Sequence, residues 1–149
     1  MVKVIDIHNY LPHREPMLMV DLIVAITPEN VDTVFMVKEN NIFIENGLLS
    51  EAGLIENAAQ TCSSIVAKSY LVDDDAQDIP NADVIGFISS IKTIQIHKLP
   101  EVGSDITTRA NLISRFDTGV YTTCMVSCKS YCEGELLLEG EINLFIQER

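Results

Sequence analysis

The chain has 149 residues, 47% of them hydrophobic, and a formal net charge of −12 at pH 7. The length suits a single domain over residues 1–149, and the acidic balance argues against nucleic acids and anionic membranes as partners, because both require a basic surface. No apolar run reaches the ~18 residues of a membrane-spanning helix, and the first residues lack a signal-peptide pattern. We therefore expect a cytoplasmic protein whose excess apolar surface is covered in an oligomer.

The first 50 residues predict a helical turn and then a hairpin. Residues 4–10 are short enough for the turn. Residues 17–26 and 31–38 have strand patterns on either side of the turn residues TPEN, which indicates a hairpin. Residues 40–47 are predicted to form a loop.

One long helix follows. Residues 52–67, AGLIENAAQTCSSIVA, place apolar side chains at helical spacing, and Ser50 suits the N-cap position. A helix that is apolar on nearly every side must be covered on most of them. The segment therefore predicts a helix enclosed by the rest of the fold.

Glu56 is the one charged residue in that segment. Together with Gln60 and Ser63 or Ser64 it could form a polar stripe that faces water. No lysine or arginine stands three or four residues away to pair with it, however, and its neighbours are mostly apolar. A carboxylate buried among apolar groups becomes a usable general acid or base near neutral pH. We favour this functional interpretation of Glu56.

The second half of the chain contains strand patterns. It begins with the acidic, turn-rich segment DDDAQDIPNAD, residues 73–83, which predicts a solvated loop. Four strands bounded by turn signals are predicted at residues 84–98, 106–116, 120–132 and 136–147. With the hairpin, they predict an α+β protein with a long central helix wrapped by a curved antiparallel sheet, the hotdog fold. Such a sheet leaves an edge strand and a helix flank that a symmetric dimer can cover.

The four cysteines are Cys62, Cys124, Cys128 and Cys132. The last three recur every four residues, but on a strand such neighbours lie roughly 13 Å apart, too far to share one ion. No CxxC motif or nearby histidine completes a ligand set. We predict neither a metal site nor disulfides.

Three segments resemble the FabZ-type (3R)-hydroxyacyl-acyl carrier protein dehydratases. LPHREPMLMVDLIVAI, residues 11–26, is similar to the family's opening LPHRxPFLLVDRV, and LIENAAQ, residues 54–60, is similar to LxxEAxAQ. FISSIKTIQIHKLPEVGSD, residues 87–105, resembles a later strand and turn. The segments follow the family's order. The resemblance implies a homodimer, or a higher oligomer of dimers, that acts on acyl thioesters carried on the phosphopantetheine of acyl carrier protein or coenzyme A, with no further cofactor.

The resemblance also assigns site residues. In this family a histidine and a glutamate from opposite subunits remove the α-proton of the thioester and protonate the leaving hydroxyl. Glu56 falls on the glutamate, and Gln60 falls on a glutamine one turn later that we assign to substrate binding. The amides of Ala52 and Gly53 are candidates for polarising the thioester oxygen at the helix start. Gly53 could equally serve helix packing.

The family's histidine, in a GHFPGxPxxPG loop, has no counterpart here. Its position falls on Ile42, or on Gly47 if the loop is shortened. The family also carries a histidine at His13, where we expect a structural role, but two flanking prolines hold this loop and make His13 the first candidate for the missing group. We assign Asn46 and Gly47 to substrate binding, where Asn46 or Glu45 could supply a hydrogen bond that orients a substrate hydroxyl.

Several expectations remain. His8 and His97 should be exposed. The basic residues of the strand half could gather to bind an acidic carrier protein, or could simply be scattered and solvated; they are Lys92, Lys98, Arg109, Arg115 and Lys129. The pattern ENG…GLIENxAQ looks like a divergent branch associated with aryl-polyene or flexirubin-type pigment synthesis. We expect dehydration of 3-hydroxyacyl thioesters to trans-2-enoyl thioesters; the alternatives are a non-catalytic acyl-thioester-binding subunit and a thioesterase.

Overall fold

The computed structural model describes residues 5–71 and 84–148, so the predicted acidic loop at residues 73–83 lies outside the described residues. The elements in chain order are a 3₁₀ turn (Ile7–Asn9), β1 (Leu22–Ile26), β2 (Asn30–Met36), β3 (Ile44–Glu45), β4 (Leu48–Leu49), α1 (Glu51–Leu71), β5 (Val84–Ile96), β6 (Asp105–Asp117), β7 (Tyr121–Cys132) and β8 (Glu135–Glu148). The helix α1 lacks the hydropathy that a bilayer-crossing helix needs.

Six of these strands form one antiparallel sheet in the order β1-β2-β6-β7-β8-β5. The strand that follows the helix, β5, pairs with the last strand, β8, along nearly its whole length. As a result β1 and β5 lie at the two edges of the sheet. The predicted α+β arrangement, a long helix against a curved antiparallel sheet, is confirmed.

The core lies between α1 and the inner face of the sheet. On β7 every second residue from Thr122 to Ser130 is buried, which is the alternation expected when one face of a strand packs against a core. Cys124 and Cys128 belong to this buried face. On α1, Leu54, Cys62 and other small or apolar side chains are fully covered.

Two local predictions were wrong. The first strand begins at Leu22 instead of residue 17, because backbone groups of Met17 and Met19 bond to side chains of α1 in place of a neighbouring strand. The predicted loop at residues 40–47 contains one strand of a short hairpin, β3–β4. Its turn residues Asn46 and Gly47 have φ values of 53° and 77°, the left-handed pair that a tight two-residue hairpin turn requires. The Asn-Gly dipeptide was a usable signal for this hairpin.

Candidate active site

A pocket of about 250 Å³ opens beside α1 and contains two ionisable side chains, His13 and Glu56. The helix contributes one face to it, with Glu56, Gln60 and Ser63 at spacings of four and three residues. Strands β5 and β8 contribute the opposite wall. That wall and the adjoining helix residue are largely apolar: Ala59, Phe87, Ile88, Leu144 and Ile146. The pocket therefore combines a pair of proton-transfer groups with a surface suited to an alkyl chain.

His13 and Glu56 approach each other within one chain. His13 Nε2 lies 4.0 Å from Glu56 Oε1, and the two side chains are 28% and 27% exposed. This distance is longer than a hydrogen bond. Catalytic contacts are often long without substrate and shorten when it binds. Both groups can therefore reach the same small reacting unit.

The surroundings of His13 favour its neutral form. Burial lowers the pKa of His13, the Glu56 carboxylate opposes this shift, and the Arg14 guanidinium adds to it. His13 Nδ1 is buried and has no hydrogen-bond partner among the described residues. A neutral imidazole can accept a proton, which is what a general base must do.

Arg14 folds back on the loop that carries His13. Its guanidinium donates to the carbonyl oxygens of Leu11 and His13, both at 2.8 Å, and of His8 at 3.3 Å. Leu11 itself is 1% exposed and packs in the core. The loop is therefore fixed on the N-terminal side of His13 by charge-assisted hydrogen bonds and by burial.

Gln60 fixes the other side of this loop. Its Oε1 accepts from the Met19 amide at 2.7 Å, and its Nε2 donates to the Met17 carbonyl at 2.8 Å and to Glu56 Oε1 at 2.9 Å. The side chain is 1% exposed and uses both amide hydrogens within the protein. Gln60 lines the pocket, but its contacts orient Glu56 and the loop.

The start of α1 shows what the predicted amide site consists of. Ser50 Oγ accepts from the Gly53 amide at 3.3 Å, so Ser50 caps the helix. A Cβ on Gly53 would lie 2.6 Å from atoms of both Leu49 and Phe43. Glycine is therefore needed here for close packing, the second of its two predicted roles. Ala52 is exposed one turn before Glu56.

The structure brings together some of the predicted site residues and leaves others apart. His13, Glu56 and Gln60 share one pocket. Asn46 and Gly47 are exposed at the tip of the β3–β4 hairpin and do not line this pocket. Neither do Ala52 and Gly53.

The remaining histidines and the basic residues stay away from the pocket. His8 and His97 are exposed, as predicted, and lie beside Asp6 and Glu139. Arg109 and Lys129 face each other across β6 and β7, while other basic side chains pair with nearby carboxylates: Lys92 with Glu141, Lys98 with Glu135 and Arg115 with Asp117. None of the five basic residues named from the sequence lines the described pocket.

Sequence reasoning missed Asn57 and Thr108. Asn57 follows Glu56 directly, is fully buried, and bonds to the Met19 carbonyl and to Thr108 Oγ1. The signal was an amide in the middle of an apolar helix, beside the residue already singled out. Thr108 offered no such signal, because threonine is ordinary in a strand.

Known protein structures share this architecture. The structure resembles the dehydratase heterocomplex ApeI:P from Xenorhabdus doucetiae with a TM-score of 0.80 and 18% identity, covering 99% of this chain and 93% of that one. A hypothetical thioesterase protein with coenzyme A from Streptococcus pneumoniae TIGR4 gives a TM-score of 0.62 and 16% identity, with 85% of each chain covered. Both likenesses show the fold. No curated protein matches the chain significantly.

The sequence also matches a protein family. The sequence model of the ApeP-like family, described as ApeP dehydratase, matches residues 5–148. This confirms the resemblance to hotdog dehydratases predicted from the sequence, and the match extends over nearly the whole chain. The protein is a member of the ApeP-like dehydratase family.

Proposed function

We propose that the protein removes water from a 3-hydroxyacyl thioester carried on the phosphopantetheine of an acyl carrier protein or of coenzyme A. The product is a trans-2-enoyl thioester. The observation that supports this most is the placement of His13 and Glu56 in one pocket with an apolar wall, in a chain of a dehydratase family.

The two residues divide the proton transfer. Neutral His13 accepts the proton from the carbon next to the thioester carbonyl, and the electron pair of that bond forms the new carbon–carbon double bond. The bond from the next carbon to its hydroxyl breaks as Glu56 gives its proton to the leaving oxygen, and water departs. After the reaction, His13 carries the proton taken from the substrate and Glu56 has lost its own proton. Proton exchange then restores the starting state. The reaction therefore requires a neutral imidazole at His13 and a protonated carboxyl group at Glu56.

A backbone amide would stabilise the negative charge that develops on the thioester oxygen. Of the two amides proposed from the sequence, that of Gly53 already donates to Ser50 Oγ. The amide of Ala52 lies in the exposed first turn of α1, where amides point outwards without intrahelical partners. We assign Ala52 to this role, which requires the bound thioester to extend beyond the described pocket to the start of α1, since Ala52 does not line that pocket.

We also propose that two chains associate through their β5 strands into a symmetric cytoplasmic dimer. β5 is at an edge of the sheet, and unpaired strand edges are templates for another chain. Phe87 on this strand is 52% exposed, and Ile91 is 44% exposed. Because Gly86, Phe87 and Ile88 of β5 also line the pocket, a second chain at this edge would cover the pocket as well.

The reaction is tested by mass spectrometry of a 3-hydroxyacyl carrier protein incubated with the purified protein. Loss of one water, abolished by Glu56→Gln, supports the dehydratase. Loss of water that proceeds equally fast with Glu56→Gln would overturn the role of Glu56. Loss of the whole acyl group would instead identify a thioesterase.

A second function has its own support. The chain lacks the histidine of the GHFPG loop, and the similar structure from Xenorhabdus doucetiae is a heterocomplex. A non-catalytic subunit that binds the acyl thioester and assembles with another hotdog chain would show binding of the acyl carrier protein without any change of mass.

A further inference from the structure

Asn57 lies at the centre of a chain of hydrogen bonds that crosses the protein core. Its Nδ2 donates to the Met19 carbonyl at 2.7 Å, and its Oδ1 accepts from Thr108 Oγ1 at 2.9 Å. Asn57, Met19 and Thr108 are all 0% exposed. Buried polar groups of this kind are costly unless they are bonded, so their geometry is strongly constrained.

The chain has a fixed direction. The hydroxyl hydrogen of Thr108 is used on Asn57 Oδ1, so in the contact between Thr108 Oγ1 and Ser130 Oγ, at 2.8 Å, Ser130 must be the donor. Donation therefore runs from Ser130 on β7 through Thr108 on β6 to Asn57 on α1 and ends at Met19. Because the Met19 carbonyl oxygen can only accept, Asn57 Nδ2 must point at Met19, which leaves Oδ1 facing Thr108.

Met19 is consequently held at both of its backbone polar groups. Its carbonyl accepts from Asn57, and its amide donates to Gln60. Met19 closes the loop that leads back through residue 16 to His13. Asn57 and Gln60 are on the same helix as Glu56, so the helix that carries the glutamate also fixes the segment that carries the histidine.

We propose that Asn57 is a positioning residue that sets the separation of His13 and Glu56 by fixing the Met19 carbonyl against α1. This inference rests on the proposed function. Without this bond, the segment has one side-chain anchor fewer, and His13 moves relative to Glu56. A displacement of about 1 Å in a catalytic pair can cost on the order of 10²-fold in rate.

A purely structural role would predict something different. α1 has a second buried polar contact, Thr33 Oγ1 with Thr61 Oγ1 at 2.7 Å, and both residues are 0% exposed. This pair joins the helix to β2, and neither residue has a hydrogen bond to residues 11–19 in the part of the chain that the structure describes. Thr61 Oγ1 also donates to the Asn57 backbone carbonyl at 3.0 Å, a bond that Thr33→Val keeps. Thr33→Val therefore removes a buried hydrogen bond from the same interface and leaves the loop untouched. It is the control for Thr108→Val, a substitution of the same kind that leaves Asn57 Oδ1 without its donor and also removes the contact with Ser130 Oγ.

The experiment compares Asn57→Ala, Thr108→Val and Thr33→Val in the full chain. We expect kcat to fall roughly 10- to 100-fold for Asn57→Ala, with KM little changed, and by a smaller factor for Thr108→Val. Thr33→Val should stay within about twofold of the wild type while losing stability. Equal losses of kcat in Thr33→Val and Thr108→Val would overturn the proposal, and Thr108→Val keeps it testable if Asn57→Ala does not fold.

An NMR titration of the histidine ring protons separates this inference from the proposed function. Burial lowers the pKa of His13, while the Glu56 carboxylate opposes this shift and the Arg14 guanidinium adds to it. Release of the loop should raise the pKa of His13 in Asn57→Ala and Thr108→Val and leave it unchanged in Thr33→Val. This result would hold even if the wild type proved inactive, which would overturn the proposed function alone. An unchanged His13 titration in both variants would overturn the positioning role.

Discussion

Replacing Gln60 with leucine would remove three hydrogen bonds while nearly preserving the volume of the side chain. The Met19 amide would lose its partner at a residue that is 0% exposed. The Met17 carbonyl and the Glu56 carboxylate would lose one donor each, but Met17 is 41% exposed and the Glu56 side chain 27%, so water can replace the lost donor. The destabilisation should therefore come mainly from the Met19 amide.

A buried polar group left without a partner costs about 1–3 kcal/mol, and a hydrogen bond exchanged for one to water costs roughly 1 kcal/mol or less. The sum for Gln60→Leu lies between about 1 and 5 kcal/mol of unfolding free energy, with a central value of roughly 3 kcal/mol. For a chain of this size 1 kcal/mol corresponds to roughly 2–4 °C in Tm. We expect a decrease in Tm on the order of 5–15 °C.

The assays are thermal unfolding, which gives Tm, and urea unfolding, which gives the free energy of unfolding. Both are done at fixed protein concentration, because the stability of an oligomer depends on concentration. The control is the double variant Thr33→Val/Thr61→Val, which replaces both partners of a buried pair in the same helix–sheet interface by apolar groups of the same shape and should cost about 1 kcal/mol or less. If Gln60→Leu is no less stable than this control, Gln60 does not hold the loop as described.

Three further predictions concern His13, the pocket and the hairpin. Burial lowers the pKa of His13 in the folded state. The contribution of His13 to the unfolding free energy is therefore present above its ordinary pKa of about 6.5 and is lost as the pH falls through its pKa in the folded protein. The unfolding free energy, measured at a series of pH values, should show this decline in the wild type and a weaker decline in His13→Gln. A Cβ on Gly86 would lie 3.4 Å from Ile146 Cγ1, so Gly86→Val should fold but fill part of the pocket. In a competition assay, kcat/KM should fall roughly tenfold or more for long acyl chains relative to short ones. An equal loss for both chain lengths would refute the assignment of this wall to the acyl chain. In Gly47→Ala the new Cβ meets no atom within 4 Å, but alanine is forced to a φ of 77°. The substitution should therefore cost about 1–2 kcal/mol in urea unfolding and leave kcat/KM unchanged. A large loss of activity would instead place the hairpin tip in the site.

The sequence predicted the parts of the fold that depend on local periodicity. The helical spacing around Glu56 and the strand pattern of residues 120–132 are signals contained within one segment, and both elements are found where they were expected. The start of β1 could not be read in this way. Met19 bonds to Gln60, which is 41 residues away in the chain. The residue at which β1 begins therefore depends on a contact that no local sequence signal contains.

The candidate site was predictable in composition and not in geometry. Glu56 stood out as a lone charge in an apolar helix, and His13 stood out through its two flanking prolines. Their approach to 4.0 Å within one chain depends on the position of the loop against α1, which is set by Asn57 and Gln60. Asn46 and Gly47 were chosen by aligning a loop that in this chain contains a tight hairpin, and they lie outside the pocket.

The most direct test of the central claim, that His13 and Glu56 of the same chain form one reactive pair, uses a purified heterodimer of a His13→Gln subunit and a Glu56→Gln subunit. We predict that this heterodimer has only background activity, because neither of its chains keeps both groups. A control heterodimer of wild type with the double variant should retain about half of the wild-type activity, since one complete site remains in a symmetric dimer. Recovery of about half of the activity in the first heterodimer would contradict the claim and show that the pair forms across the two subunits.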